Sequence, residues 1–318
     1  RERLLPETDP WFRQIMVSQG CFLELLVIAL KQRGLAPTVE LFPQGEFAAR
    51  TLDARPVARV RWVPGAPAPT PDPLFAQVLQ RHTAKVAHDT TRVPPPQALA
   101  LLDTMVPADA PPTLKLGSTA EPAQVAQLRA LAQAAARVEV GTPRTVLESH
   151  RLTRVGPDEI AQHRDGITLN GLMPRVAVAL GLFDRSQAAP PGSSGFDTIM
   201  KTYEAQAGTA MAFNWITSWA PAGASRSAEV WAGRTFVRQQ LAAQALGLQV
   251  HPLSQAPQEF AEMKPHHDAL HQQLTGGTAS GGVVQMFCRV GHCAPQPPPP
   301  RPLKKPQPPQ PRHRPRPR

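Results

Sequence analysis

The sequence is poor in charged residues, cysteine and tyrosine, and each shortage excludes a class of protein. Charged side chains make up 18% of the 318 residues, while hydrophobic ones make up 42%, and this balance excludes a wholly disordered chain. Three cysteines without paired spacing, Cys21, Cys288 and Cys293, make a disulfide framework unexpected. The single tyrosine argues against a stacking platform for nucleic acid.

Long apolar runs and common catalytic motifs are missing as well. Runs such as residues 25–30 are far shorter than the ~18 residues of a membrane span, and no basic-then-apolar signal peptide opens the chain. There is no Gly-x-Ser-x-Gly elbow for a serine nucleophile. Residues 276–282 lack the Lys-Ser/Thr of a phosphate loop, so they are interpreted as a connecting turn. His267 and His271 have metal-ligand spacing but no indicated third ligand, which favours a solvated polar face.

The positive charge of the chain is concentrated at its C-terminal end. The formal net charge is +10, but residues 294–318 carry seven basic side chains and no acid, and 10 minus 7 leaves only +3 for residues 1–293. A near-neutral body does not indicate a nucleic-acid partner. Proline accounts for 12 residues of this tail, which predicts a disordered, polyproline-like segment. It is either a docking ligand for an aromatic groove or anionic surface, or a dispensable extension.

Hydrophobic periodicity predicts helices and strands without regular βαβ alternation, which is the pattern of an α+β fold. The predicted helices are 11–33, 74–82, 95–104, 121–138, 143–152, 229–246 and 257–274, and the predicted strands are 38–42, 57–63, 211–218, 248–252 and 283–290. Helix 11–33 is apolar nearly all round, so it should be a central buried element. The proline-rich residues 64–73 predict a stiff linker, and residues 153–198 a long covering loop.

The segment Arg81-His82-Thr83-Ala84-Lys85 has the most chemical content in the sequence. Arginine offers a fork of donors, lysine a point charge and threonine a neutral donor, and together they can hold a phosphate. A charged helix end gives the same pattern, so the segment alone leaves both interpretations open.

Together with Asp89, this segment resembles the phosphate-binding segment that opens FMN-dependent nitroreductases. Residues 232–248 are similar to that superfamily's helix running into a short strand, and residues 285–292 to its last strand and the turn that follows. Residues 252–255 stand where the family lays backbone over the flavin.

The N-terminal sequence narrows the resemblance to one branch of the superfamily. Leu4-Leu5-Pro6-Glu7-Thr8-Asp9-Pro10, followed by Arg13-Gln14 and Gly20-Cys21, resembles the Acg-like branch, in which two nitroreductase-type halves are fused in one chain. That branch usually carries a Ser-x-His-Asn-x-Gln-Pro-Trp segment before the point where this sequence begins, often with a twin-arginine signal upstream. The chain is therefore expected to be an N-terminally truncated copy, cytoplasmic as given and periplasmic if a signal preceded it.

The resemblance implies a nitroreductase-like α+β fold whose two halves form an internal pseudo-dimer, so the chain should be a monomer or a weak homodimer. Residues 1–63 would be the remainder of the first half, 64–73 the linker, 74–293 the second half and 294–318 the tail.

FMN is the cofactor that the resemblance implies. The residues that would bind it are Arg81, His82, Thr83, Lys85, Pro252, Leu253, Ser254, Gln255 and Arg301. The first group would hold the phosphate and ribityl end, residues 252–255 would pack on the isoalloxazine, and Arg301 would be an additional phosphate contact. The implied enzyme passes a hydride from NAD(P)H through FMN to a nitro-aromatic or quinone, with no metal and no catalytic protein residue. The alternative is a protein that sequesters FMN without turnover.

Overall fold

The structure, a computed structural model, describes residues 4–294 except 64, 66, 164, 182, 183, 222 and 223. The helices in this part of the chain are α1 (Arg13–Gln32), α2 (Pro96–Leu102), α3 (Pro122–Gly141), α4 (Pro143–Arg151), α5 (Gly156–His163), α6 (Leu172–Ala179), α7 (Ser194–Gly208), α8 (Arg226–Ala245) and α9 (Lys264–Thr275). The strands are β1 (Pro37–Leu41), β2 (Ala58–Trp62), β3 (Leu114–Thr119), β4 (Thr153–Val155), β5 (Ile167–Leu169), β6 (Ala212–Trp219), β7 (Gln249–Pro252) and β8 (Gly282–Gly291). Arg301 and the rest of the tail beyond residue 294 lie outside the described residues.

A four-stranded antiparallel sheet, in the order β3-β6-β8-β7, lies between two layers of helices. Because side chains alternate along a strand, β6 and β8 bury residues on both faces. Phe213 and Phe287 stack with ring centroids 5.1 Å apart and belong to the core shared with α3 and α9. Ile216 and Cys288 belong to the core shared with α8. The mixed α+β arrangement predicted from the sequence is confirmed.

Helix α1 packs along α8 through one glycine in each helix. A Cβ atom on Gly20 would lie 2.0 Å from the carbonyl oxygen of Val230, and one on Gly233 would lie 1.9 Å from that of Val17. No other residue fits at either position, since real Cβ atoms do not approach a backbone oxygen so closely. The two helix backbones are therefore in direct contact.

Helix α1 is long and apolar enough to span a membrane by length and composition alone, yet its polar contacts are those of a core helix. The buried carboxylate of Glu24 accepts hydrogen bonds from Arg234 at 2.8 Å and Arg238 at 2.9 Å. Phe22 on another face is 61% exposed, so the predicted burial of this helix on nearly every side is wrong. Its apolar residues are divided among the α8 contact, a small core that Met16 and Leu23 form with Phe42 and Phe47, and the surface.

The two crossing helices begin structurally equivalent units. Each is followed by a glycine in the left-handed conformation, Gly34 with φ 73° and Gly247 with φ 68°. Next comes a leucine, Leu35 or Leu248, whose N–H donates back to the helix, and then a strand paired antiparallel with the following one. Corresponding positions are 213 residues apart throughout (13 to 226, 20 to 233, 34 to 247). The units α1–β1–β2 and α8–β7–β8 thus have the same order of helix, turn and strand pair.

The largest departure from the sequence prediction is residues 153–198, which do not form a loop. Their described part holds β4, α5, β5, α6 and the start of α7, with β4 and β5 paired in parallel. The elements are short and separated by glycine, so no single window of the sequence shows their periodicity.

Three smaller differences concern single elements. Predicted helix 74–82 is only a short 3₁₀ helix over Pro73–Gln77, which Asp72 caps by accepting a hydrogen bond from Leu74 N. Strand β3 was not predicted, because Gly117 and the serine after it lower strand propensity. Gly117 lies under the Trp215 ring, where a Cβ would come within 2.7 Å.

The predicted helix 257–274 begins only at Lys264. The division into halves at 64–73 stays a prediction.

Candidate functional site

Residues 81–85, the segment predicted to bind phosphate, are held beside β7 by one side chain of α8. Gln240 accepts a hydrogen bond from Arg81 Nη1 at 3.1 Å through its Oε1. Its Nε2 donates to Thr83 Oγ1 at 3.3 Å and to the carbonyl oxygen of Val250 at 3.2 Å. The structure therefore brings Arg81 and Thr83 next to the strand that leads into residues 252–255.

Arg289 of β8 connects the same segment to the sheet from inside. The side chain is fully buried, and its Nε donates to His251 Nδ1 at 2.9 Å. Its other nitrogens donate to the carbonyl oxygens of Gln206 at 2.6 Å, Ala84 at 3.2 Å and Val86 at 2.7 Å. Sequence reasoning missed Arg289, although an arginine inside a predicted buried strand is an unusual residue that could have drawn attention.

The cation cluster, which we define as Arg81, Lys85 and Arg289, has an unbalanced positive charge. Burial lowers the pKa of Arg81, and it lowers the pKa of Arg289 to about 10. Partial burial likewise lowers the pKa of Lys85, although this residue keeps solvent exposure. Within the described ranges, none of the three forms an ion pair with a carboxylate. Among the other buried arginines, Arg13 and Arg234 form such pairs with Glu259 and Glu24, and Arg226 lies 2.6 Å from the carboxyl group of Glu229.

One hydrogen-bond donor of the cluster also has no acceptor among the described residues. Arg81 Nε is buried and meets no acceptor in the described part of the chain. A buried N–H of a cation without an acceptor is costly unless a ligand satisfies it. Unpaired positive charge together with an unused donor is the chemistry of an anion site.

The remaining predicted site residues have different environments. His82 stays within its own segment, with Nδ1 3.2 Å from the Gln80 carbonyl oxygen. Leu253 is a core residue, since its side chain is buried beside Phe287 and its N–H donates to the Phe287 carbonyl oxygen at 2.9 Å. The side chain and N–H of Leu253 are therefore engaged within the protein, and the flavin contact of residues 252–255 stays a prediction.

The other three residues of the segment 252–255 differ in their exposure to solvent. Pro252 and Ser254 are half-buried and reach the surface. Gln255 and Gln258 hydrogen bond Glu139 of α3, and the Gln258 contact is 2.6 Å. Burial raises the pKa of Glu139 despite these bonds.

A cavity of about 440 Å³ opens at the N-terminal ends of α1 and α8. Trp11, Glu229, Glu259 and Phe260 contribute to its walls. Gln258 lies on the same wall and donates its N–H to the Gln255 carbonyl oxygen at 2.9 Å, so the cavity adjoins residues 252–255. Its walls come from segments far apart in the chain, which is why no sequence motif indicates it.

The charged groups of the cavity are mostly paired. Arg13 binds Glu259 and also donates to the carbonyl oxygens of Gln285 at 2.6 Å and Pro257 at 2.8 Å. Arg50, held at φ 63°, lies 3.5 Å above the Trp11 ring centroid. Its charge is therefore placed over an aromatic face at the rim of the cavity.

His267 and His271 line this cavity, and both nitrogens of His271 and the Nδ1 of His267 contact other groups of the protein. His271 Nε2 accepts a hydrogen bond from Val284 N at 3.1 Å, and its Nδ1 lies 2.8 Å from the His267 carbonyl oxygen. His267 Nδ1 lies 3.4 Å from Asp268. No group of three or more histidine, cysteine or acidic side chains in the described part of the chain could hold a metal ion.

No family model and no curated protein matches the chain. Solved structures do resemble it, at 11–15% sequence identity in the three given next. They are nitroreductase-superfamily proteins.

One is iodotyrosine deiodinase bound to FMN and 3-iodo-L-tyrosine. Its sequence is 15% identical to this chain, and the match covers 73% of this chain and 96% of that chain with a TM-score of 0.40. The second is an FMN-dependent nitroreductase from Mycobacterium smegmatis in complex with NADPH (12% identity, 69% and 87% covered, TM-score 0.39). The third is a nitroreductase with bound FMN from Desulfitobacterium hafniense (11% identity, 73% and 95% covered, TM-score 0.40). These ligands belong to those proteins; for the present chain, the charge and geometry of its own site are what bear on function.

Proposed function

We propose that this chain is an FMN-dependent oxidoreductase of the nitroreductase type. FMN would take a hydride from NAD(P)H and pass it to a nitro-aromatic or quinone acceptor. When bound, the flavin supplies the hydride chemistry, and the side chains described above bind it, orient it and exclude water.

The unbalanced charge of the cation cluster is the observation that carries this proposal. A phosphate group brings about two negative charges and several acceptor oxygens. Arg81 and Lys85 would supply the charge, the unused Arg81 Nε an additional donor, and Thr83 a neutral hydroxyl donor. Arg289, whose donors are all engaged by protein groups, would add charge from behind the segment. The residues present therefore fit the phosphate end of FMN.

The neighbouring surfaces suit the remainder of the cofactor. Pro252 and Ser254 reach the surface at the end of β7, close to the cluster because Gln240 and Arg289 connect β7 to residues 81–86. The cavity beyond Gln258 offers space for a small aromatic acceptor next to that surface.

The two equivalent units support a further part of the proposal, namely that two halves of Acg-like type are fused in one chain. The Gly20 and Gly233 contacts are reciprocal: each Cβ would meet the carbonyl oxygen three residues before the other glycine. That is the relation a two-fold axis imposes on an isologous interface. An interface that two separate subunits would otherwise form would then be internal.

An internal interface predicts a monomer, or at most a weak dimer. Light scattering of the purified chain across a hundredfold concentration range should give a mass near the 34.5 kDa of one chain at low concentration. A dimer that persists undiminished to the lowest concentration would contradict the fused halves.

Removing one cation of the cluster tests the cofactor site. Arg81→Ala and Lys85→Ala should each weaken FMN binding by about 1.5–3 kcal/mol, because each removes a charged hydrogen bond to the phosphate. Fluorescence titration of flavin-free protein measures the change, and Lys201→Ala, which removes an exposed lysine of α7, is the matched control. FMN affinity unchanged in both cluster variants would show that the site is misplaced.

Turnover separates the enzyme from the sequestering alternative. A bound yellow flavin whose visible band NAD(P)H bleaches, and which an added quinone restores, supports the oxidoreductase. A bound flavin that NAD(P)H does not reduce would support sequestration. A chain that cannot be loaded with FMN at all would overturn both.

A further inference from the structure

One carboxyl group of the cavity has no part in the proposed binding of FMN. We propose that Glu229 hydrogen bonds the reducible oxygen of an aromatic acceptor in this cavity and donates the proton that accompanies the hydride. This inference rests on the proposed function and deepens it, since it assigns the acceptor a location and the reaction a proton source.

The position of Glu229 leaves half of its carboxyl group available to a ligand. Glu229 stands in the first turn of α8 and lines the cavity. Its Oε2 accepts from Arg226 Nη1 at 2.6 Å, and Arg226 is itself anchored by donating to the Trp11 carbonyl oxygen at 2.7 Å. No described residue donates to Oε1. One oxygen is thus fixed by the protein, and the other remains to contact an acceptor.

The walls around this carboxyl group favour a neutral aromatic ring. Trp11 and Phe260 provide flat apolar surfaces, which suit an aromatic ligand because burial of ring surface is favourable. Most of the nearby charges cancel in pairs, Arg13 with Glu259 and Lys264 with Asp268. The charged and titratable groups that face Glu229 or line its cavity are Arg13 of α1, Arg226 of α8, Glu259 before α9, Arg50 at the rim, and Lys264, His267, Asp268 and His271 of α9.

The protonation state of Glu229 agrees with this geometry. Burial raises its pKa to about 7, against the lowering effect of Arg226 and Arg13. The carboxyl group is therefore largely protonated below pH 7 and becomes a carboxylate above it. Only the protonated form can donate a hydrogen bond to a quinone or nitro oxygen.

The proposed step is balanced for a quinone. The quinone gains a hydride, which carries the electron pair, from NAD(P)H through the flavin, so NAD(P)H is oxidised to NAD(P)⁺. The Glu229 O–H bond breaks, a new O–H bond forms on the quinone oxygen, and the product is the hydroquinone. The Glu229 carboxylate then regains a proton from water. General acid catalysis of this kind contributes about 10²–10⁴-fold to rate.

Binding of tetramethyl-1,4-benzoquinone to the flavin-free chain tests the carboxyl group without turnover. This probe has no free ring position for thiol addition, and it should quench tryptophan fluorescence from Trp11 in the cavity wall. The wild-type dissociation constant should rise about fivefold from pH 5.5 to pH 8.5, as one neutral hydrogen bond is lost. In Glu229→Gln, whose amide keeps a donor at every pH, that rise should vanish, whereas the cavity variant Asp268→Asn should keep it.

Turnover of the FMN-loaded chain is the second measurement. Glu229→Gln should lower kcat for quinone reduction by about 10²-fold and leave the rate of flavin bleaching by NAD(P)H unchanged. Wild-type binding independent of pH, or kcat unchanged in Glu229→Gln, would overturn the inference while the proposed function stands. A chain that binds the quinone as expected but no FMN would overturn the proposed function and, with it, the proton transfer.

Discussion

Replacing Gly233 by alanine should destabilise the protein by at least ~3 kcal/mol. The new Cβ would lie 1.9 Å from the Val17 carbonyl oxygen and 3.0 Å from Cys21 N. Both are backbone atoms, so no side-chain rotation relieves the overlap, and α1 must move away from α8. Overpacking against movable side chains costs about 1–3 kcal/mol, and a backbone obstacle costs more. Chemical denaturation measures the loss.

The chain contains a matched control for this substitution. Gly141, the last residue of α3, has no atom within 4 Å of its would-be Cβ and has no positive φ. Gly141→Ala should leave stability unchanged or raise it by up to ~1 kcal/mol, because alanine is the better helix former. Equal stability of the Gly233→Ala and Gly141→Ala variants would mean that α1 and α8 are farther apart than described.

Replacing Arg289 by leucine should cost about 3–5 kcal/mol of stability and release residues 84–86 from the sheet. The carbonyl oxygens of Gln206, Ala84 and Val86 would lose their donors inside the protein, and unsatisfied buried groups are costly. Because the segment carries Lys85, FMN affinity should fall in the same variant. Denaturation and flavin titration measure the two effects.

Two further variants separate the contributions of Arg289. Arg289→Lys keeps the charge but cannot donate in several directions at once, so it should also be less stable than the wild type. Arg92→Leu removes an exposed arginine three residues after Asp89 and should change neither property by more than ~0.5 kcal/mol. Full stability of Arg289→Lys would show that charge, not the branched hydrogen bonding, is what holds the segment.

Sequence information was sufficient where structure is determined locally. The helix predicted over 121–138 is α3, since Glu121 caps it through Ala123 N and Gln124 N and apolar residues recur at helical spacing. The segment 81–85 drew attention in the same way, because its donors are neighbours in the chain, and its role as a phosphate site stays a prediction.

Features that depend on tertiary distance could not be predicted in this way. Arg289 is a single arginine in a strand, and only the fold places the carbonyl oxygens of Ala84, Val86 and Gln206 around it. Glu229 likewise owes its raised pKa to burial in a cavity whose walls come from segments far apart in sequence. Residues 153–198 fold through elements too short for periodicity to reveal.

The two equivalent units differ in the surroundings of one strand position. His251 stands opposite Arg289 in the β7–β8 register, and its counterpart Thr38 stands opposite Arg61 in β1–β2. Arg289 is buried and connects four segments, whereas Arg61 is exposed, and the counterpart of Gln240 is Val27. The same strand position thus carries an arginine in both units, but only in the α8–β7–β8 unit is that arginine buried and hydrogen bonded to neighbouring segments. The backbone arrangement of the two units is therefore the same, but only the α8–β7–β8 unit brings a buried cation to residues 84–86.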